Sequence, residues 1–311
     1  MIPSEHVHLV EKTLSHCVQE PILEEVVRTT KARILRRGDR SDMSSEEMCH
    51  LVDLMQMFEL GRFLLKNRGL NAHWIHYIVV EAPKQIGEQY RLSDLERFFL
   101  YRAPTFLATQ ERYTIFQREI QKRLFPGCIF ASLPCGVMAD LIDLDYRSIL
   151  PGKLVGIDLE YEALQEARRY AEQKGRADWI ELRRADAWEL NCCDEFDLLT
   201  SNGLNIYEPS DERVLQLFKQ FYKALKPGGV LIASYLSLPP LPGFQTEWDL
   251  REVDSQDALM QKILLGEILQ VKWQVYRSRQ QMEAILRAAG FAEWEFFDDR
   301  ARIFPVIVAK K

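Results

Sequence analysis

Cysteine, glycine and excess charge are all scarce in this chain of 311 residues. Its six cysteines are Cys17, Cys49, Cys128, Cys135, Cys192 and Cys193. None shows C-x-x-C spacing, which excludes the common zinc-site pattern and a compact disulfide framework. Reduced thiols in a cytoplasmic protein are the expected state. The formal net charge of −6 argues against a broad polyanion-binding surface. No stretch is apolar for long enough to span a bilayer. The first six residues lack a basic segment followed by an apolar core, so no signal peptide is expected. His73 and His76 share a helix face but have no carboxylate partners, so no metal site is expected there. The basic cluster Lys31, Arg33, Arg36 and Arg37 falls at a helix end, where cations favour the dipole.

Hydrophobic residues make up 47% of the chain, enough for a sizeable core. The pattern changes near residue 128. Before it, the periodicity predicts helix after helix. One segment covers His8 to Val18, and another runs from Pro21 to about Arg37. A long helix follows, capped at Ser44 with Glu47 in a capping box. It carries Leu51, Leu54, Met55, Phe58, Leu64 and Leu65 on one face, with Met48, Met55 and Met57 as core filler. Asn71 to Val80 stops before Pro83, Ser93 caps Asp94 to Tyr101, and Pro104 opens a last helix. After Cys128, strands alternate with helices, which gives a mainly parallel sheet covered on both faces.

The stretch from Ile129 to Asp158 organises this second half. An apolar run, Ile129 to Leu133, leads into the turn Pro134-Cys135-Gly136. Helical spacing follows from Val137 to Leu144, and a second apolar run, Leu154 to Ile157, ends on Asp158. Strand, turn, helix, strand and acid form the first half of a nucleotide-binding unit. An acid at the tip of the second strand can accept both hydrogen bonds of a ribose diol. Gly136 allows a ligand close to the backbone. The full glycine fingerprint is missing, and an ordinary strand–helix–strand without ligand stays open at this point.

Four downstream pieces follow in order. Leu154-Val-Gly-Ile-Asp158-Leu159 ends the second strand, and Arg184-Ala-Asp186-Ala187 the third. Phe196-Asp-Leu-Leu-Thr-Ser-Asn202 forms the fourth, and Leu225-Lys-Pro-Gly-Gly-Val-Leu-Ile232 leads into the fifth. Ala289-Gly-Phe291 then joins the last helix to a strand. With these pieces the chain resembles a class I S-adenosylmethionine-dependent methyltransferase over roughly Cys128 to Lys311. The resemblance implies an α/β, Rossmann-like, seven-stranded, mostly parallel sheet with helices on both faces. It divides the chain into an N-terminal helical cap region, 1–127, and a cofactor-binding domain, 128–311, with a lid insertion at about 237–273. The departure is the first motif, where Ser132 stands for the family's acid, Pro134 for its first glycine and Met138 for its last.

The resemblance also implies the site. Pro134, Gly136, Asp158, Leu159, Asp186, Ala187, Asn202 and Gly203 are expected to line S-adenosylmethionine, with S-adenosylhomocysteine as product. Asp158 would take the ribose, its competing role being a helix N-cap. Asp186 would accept from the adenine amino group, its competing role being a turn acid. Tyr161 would lie beside the adenine or ribose, and Trp188 would flank the base or anchor the core. Asn205, Tyr207 and Tyr235 are candidates for substrate and catalytic roles, with Glu208 beside them. Tyr113 and Arg112 can reach the methionine carboxylate, or Arg112 makes a surface salt bridge. A sulfonium already carries an electrophilic methyl, so no metal is expected.

The expected partner is a small-molecule methyl acceptor rather than a membrane. Ser201 to Tyr207 lacks the Asn/Asp-Pro-Pro-aromatic signature of enzymes that methylate exocyclic amines of bases, which lowers a nucleic-acid reading. Two other classes stay open: an NAD-dependent oxidoreductase on a similar half-sheet, and a non-catalytic scaffold that binds S-adenosylmethionine.

Overall fold

The computed structural model describes residues 21–311, except 241, 242, 244 and 274. The expected helix His8 to Val18 and the thiol of Cys17 lie outside the described residues. Two compact units emerge. One holds the described residues up to Leu107 together with Val253–Trp273, and the other holds those of Ala108–Glu252 and Gln274–Lys311.

The first unit is helical. Helix α1 spans Leu23–Arg37 and α2 spans Ser45–Met55, where Ser44 and Glu47 form the expected capping box. The long helix expected after Ser44 is broken, and α3 restarts at Glu59–Asn67. Gly61 shows how tightly the two pieces meet, since a Cβ there would lie 2.1 Å from the Met55 carbonyl oxygen. Met48 and Met55 are buried, but Met57 falls at the break and is 74% exposed, so it is not core filler.

Helix α4 is short, Ala72–His76, and continues as a π turn, Tyr77–Glu81, and a 3-10 stretch, Ala82–Arg91. The chain thus passes through Pro83 instead of stopping before it. A proline is tolerated near the start of a new helical stretch because its missing N–H would be unpaired there anyway. Ser93 caps α5, Asp94–Tyr101, as expected.

The basic cluster has an internal role in this unit. Helix α10, Ser255–Gln261, runs into a π-helical segment, Lys262–Leu269. Arg33 donates to the Glu267 and Ile268 carbonyls at 2.7 and 2.5 Å, and Arg68 reaches the Leu269 and Gln270 carbonyls. Arg37 and Arg40 pair with the Glu267 carboxylate. Arg33 and Arg68 thus satisfy carbonyls of the kind that every helix C-terminus leaves open. Ile263, Leu264, Leu265, Ile268 and Leu269 are buried, so this part of the insertion is core of the helical unit.

The second unit opens with the body of α6, Pro104–Gln121, from Ala108 onward. The strands β1 Ile129–Ser132, β2 Lys153–Asp158, β3 Ile180–Arg184, β4 Phe196–Ser201 and β5 Leu225–Ser234 follow. With β6 Glu293–Phe297 and β7 Val306–Lys310 they form one sheet, in the order β3-β2-β1-β4-β5-β7-β6. The first five strands pair in parallel, while β7 runs antiparallel to β5 and β6. This is the Rossmann-like architecture with helices on both faces. The inner strands are almost continuously apolar because both faces are covered. The edge strand β3 carries Glu181 and Arg183, charges that blunt an open edge.

The connecting helices are α7 Ala139–Ile142, α8 Tyr161–Gln173, α9 Asp211–Ala224 and α11 Arg279–Ala289. The expected helix from Val137 to Leu144 shrinks to the four residues of α7. Gly136 and Met138 have φ values of 50° and 63°, and a right-handed helix cannot include them. The Lys226-Pro-Gly-Gly segment lies within β5 instead of preceding it. The pairing with β4 jumps from Phe196–Leu225 to Leu198–Val230 across it. Among the described residues, no helix is long and apolar enough to cross a membrane.

Candidate active site

The strand order reverses between β1 and β4, and ligands of open α/β sheets bind at the carboxyl ends of strands near such a point. The loop after β1 crosses there toward β2. The Cys135 N–H donates to the Ile157 carbonyl at 2.9 Å, and the Gly136 N–H donates to Asp158 Oδ2 at 3.0 Å. Asp158 Oδ1 accepts from the Glu160 N–H at 3.0 Å, so this acid also shapes the entry to α8. Gly156, one turn of the pleat earlier, leaves room for the loop: a Cβ there would lie 3.0 Å from the Met138 sulfur and 3.1 Å from the Cys135 sulfur.

Asp158 is only 7% exposed, and burial pushes its pKa up. Among the described residues no cation pairs with it. Each oxygen accepts one N–H, and a carboxylate can accept about four hydrogen bonds. The acid therefore retains capacity for two further donors, the number a ribose diol offers. The residues present fit the adenosyl ligand that the sequence implies.

The end of β3 joins the same edge. The Ala185 N–H donates to the Asp158 carbonyl at 3.1 Å, and Arg184 Nε donates to the Leu159 carbonyl at 3.0 Å. Asp186 Oδ1 accepts from the Trp188 N–H at 2.8 Å, which makes it the cap of the 3-10 turn Ala187–Glu189. The turn role and a ligand role for Asp186 are compatible, since the carboxylate is half-buried. Trp188 Nε1 donates to the Arg213 carbonyl at 2.9 Å, and the ring packs on the core, so it serves as an anchor. Tyr161 is 57% exposed.

Beyond β4 the chain turns at Gly203, with φ 84°, into the 3-10 segment Leu204–Tyr207. Arg277 holds this loop. It is 2% exposed and donates to the carbonyls of Asn205 and Glu208 at 2.8 and 2.6 Å and to Asp211 at 2.8 Å. Glu208 is occupied by Arg213 Nε at 2.8 Å. The Asn205 side chain is buried with no partner for Oδ1 among the described residues. Burial pushes the Tyr207 phenol up to about 12, against the pull of Arg112. Tyr235 lies in the core, with its ring 6.2 Å from Phe296.

Arg112 is no surface residue, so the salt-bridge alternative does not hold: it is 5% exposed. Its Nη1 lies 3.4 Å from Ser234 Oγ, and a Cβ at 203 would sit 3.3 Å from that nitrogen. The Tyr113 hydroxyl has the Ala139 carbonyl at 3.2 Å and Asp143 Oδ2 at 3.4 Å as alternative acceptors, contacts within the fold.

Sequence reasoning missed two elements. Where the first motif has Ser132 in place of an acid, the serine hydroxyl donates to Asp140 Oδ2 at 2.9 Å, and Thr200 Oγ1 donates to the same oxygen at 2.5 Å. Asp140 thus places a buried carboxylate between the ends of β1 and β4, with its pKa pushed up by burial. The other missed residue is Arg277, whose partners are mostly carbonyls that no side-chain pattern records.

The sheet and its edge define a doubly wound α/β protein whose strand tips carry a glycine loop, a buried acid and a polar loop after β4. Residues 133–229 match the family model described as a methyltransferase domain. Over 193 residues the chain is 28% identical to the demethylmenaquinone methyltransferase of Lactiplantibacillus plantarum, covering 58% of this chain and 77% of that one. Over 163 residues it is 28% identical to the sterol 24-C-methyltransferase of Pneumocystis carinii, covering 51% and 37%. A crystal structure of a possible exported protein from Bordetella parapertussis is 41% identical, with a TM-score of 0.87, and the match covers 100% of this chain and 99% of that one. These matches support a class I S-adenosylmethionine-dependent methyltransferase. The same matches support an enzyme, a methyltransferase, as the main reading expected.

Proposed function

We propose that the enzyme transfers a methyl group from S-adenosylmethionine to a small-molecule acceptor by in-line displacement. The observation that carries this reading is the buried, cation-free carboxylate of Asp158, docked by the Gly136 N–H at the tip of β2. Bound S-adenosylmethionine supplies a sulfonium-activated methyl group and is left as S-adenosylhomocysteine.

The chain's own residues then have these roles. Asp158 would hold the ribose diol, and Leu159, Asp186 and Ala187 the adenine. Pro134 and Gly136 offer backbone close to the ligand. Asn202 and Gly203 would face the methionine end from the tip of β4. Much of the acceleration would come from holding acceptor and methyl in line at close range. Tyr207, protonated at neutral pH because burial raises its pKa to about 12, can donate a hydrogen bond but is a poor base. Asn205 Oδ1, buried and unpartnered, can accept one from the acceptor molecule. Tyr235 has a packing role and is given none in the reaction. The relatives named for demethylmenaquinone and for a sterol support a small acceptor.

Calorimetric titrations with S-adenosylhomocysteine and, separately, NADH test the reading. Binding of the first and not the second is expected. Absence of S-adenosylhomocysteine binding at millimolar ligand would reject it.

A further inference from the structure

Arg112 is a buried cation whose hydrogen-bonding capacity its partners among the described residues leave largely unfilled. Its Nε has no hydrogen-bond partner, and among the described residues no carboxylate pairs with it. Its contact with Ser234 Oγ is long, at 3.4 Å, and that hydroxyl's own contact with Asn202 Oδ1 is equally long, at 3.4 Å. The Phe304 ring lies 4.2 Å from the guanidinium carbon and covers one face. Asp299 is near enough to be felt, yet its two oxygens accept the N–H groups of Ile303 and Phe304 at 3.1 and 2.7 Å. A buried guanidinium N–H without an acceptor is costly unless a ligand completes it. The planar fork of an arginine matches a carboxylate with two parallel hydrogen bonds.

The position of the guanidinium on the sheet decides which molecule brings that carboxylate. Gly203 and Ser234 place it over the tips of β4 and β5. Asp158 sits at the tip of β2, and β2 and β5 are separated by β1 and β4. Three strand spacings amount to roughly 14 Å. Arg112 therefore lies across the switch point from the ribose-side acid, at the β4 and β5 tips where the methionine end of the cofactor would meet the proposed acceptor.

We propose that Arg112 receives a carboxylate group of the methyl acceptor, so that the substrate class is a small carboxylic acid. This rests on the methyltransferase reading above. It predicts that binding of a carboxylate to the cofactor-loaded enzyme depends on this one side chain.

The test uses the full chain saturated with S-adenosylhomocysteine, with benzoate as probe and neutral benzamide as control at constant ionic strength. Melting temperature is followed against probe concentration, since a ligand that binds the native state raises it. Benzoate, and not benzamide, is expected to raise it saturably in the wild type. Arg112→Gln is expected to weaken the apparent benzoate affinity by about tenfold or more, the equivalent of one charge-assisted contact. Arg112→Lys keeps a point charge without the fork and should fall between, which guards against a variant that merely folds poorly. The affinity for S-adenosylhomocysteine should change less than about threefold in both.

An equal benzoate effect in wild type and Arg112→Gln would overturn the proposal, as would no benzoate effect in the wild type. It would also fall if Arg112→Gln lost S-adenosylhomocysteine affinity but kept that for 5′-methylthioadenosine, which lacks the carboxylate. That result would assign the arginine to the cofactor's own acid. Failure of the underlying methyltransferase reading shows differently, as a wild type that does not bind S-adenosylhomocysteine at all.

Discussion

Asp158→Ala is expected to weaken S-adenosylhomocysteine binding by about 1–3 kcal/mol, roughly five- to 150-fold. Two effects add. The variant loses the acceptor proposed for the ribose hydroxyls, and it frees the N–H groups of Gly136 and Glu160 that the carboxylate now receives at 3.0 Å each. The second effect loosens the loop that brings Gly136 to the strand tips. Asp158→Asn keeps the shape but must turn its amide nitrogen toward one of those donors, so it should lie close to the alanine variant. Titration calorimetry on the three proteins checks the order.

The pH dependence follows from the same side chain. Burial raises the pKa of Asp158 above the ordinary value of 3.8, against the pull of the Glu160 and Gly136 N–H groups. A carboxyl with a raised folded-state pKa holds its proton more tightly when folded. Its charged form thus costs stability at neutral pH, and that cost is relieved as pH falls through the folded pKa. Binding runs the other way, because a ribose hydroxyl donates to the ionised form. Ligand affinity should begin to decline on acidification at a pH above 3.8, and this early decline should be missing in Asp158→Asn.

The second large effect is expected at Arg277. Its replacement by alanine strands the carbonyls of Asn205 and Glu208 in a buried site and removes the partner of Asp211. Breaking a buried, hydrogen-bonded charge costs about 3–5 kcal/mol, at the lower end here because Asp211 is half exposed. A loss of melting temperature on the order of 10 °C is expected for a unit of this size. Arg277→Lys can restore one of the three contacts and should recover only part of the loss. The loop it holds carries Asn205 and Tyr207, so at a temperature where the variant is folded, turnover should fall further than cofactor affinity. Thermal denaturation and calorimetry separate the two.

Much of this arrangement was legible in the chain's periodicity. The runs around Ile129, Leu154 and Phe196 are apolar without alternation because both faces of these strands are covered, and that pattern reads directly as a parallel sheet. Asp158 was legible because its position, at the end of such a run and after a glycine turn, is defined by local sequence alone. Ser44, Ser93 and Gly290 announced helix ends for the same reason, each acting within a few residues of itself.

What escaped depends on long-range or backbone partners. The break after Met55 arises because Gly61 lets one helix end approach another's carbonyl, and a lone glycine in a helical pattern does not state what it touches. Asp140 sits eight residues from the serine it meets and sixty from the threonine. Arg112 stood out as a ligand candidate, but a helix of mixed polarity left a surface salt bridge equally open. Its burial comes from Phe304 and Ser234, which lie far along the chain.

The central claim is that the tips of β1 to β4 form one cradle for an adenosyl ligand. A crystal structure of the complex with S-adenosylhomocysteine tests it most directly. The account predicts ribose hydroxyls within hydrogen-bonding distance of the Asp158 carboxylate and the adenine beside Asp186 and Ala187. A ligand bound elsewhere, with Asp158 holding only the N–H groups of Gly136 and Glu160, would contradict it.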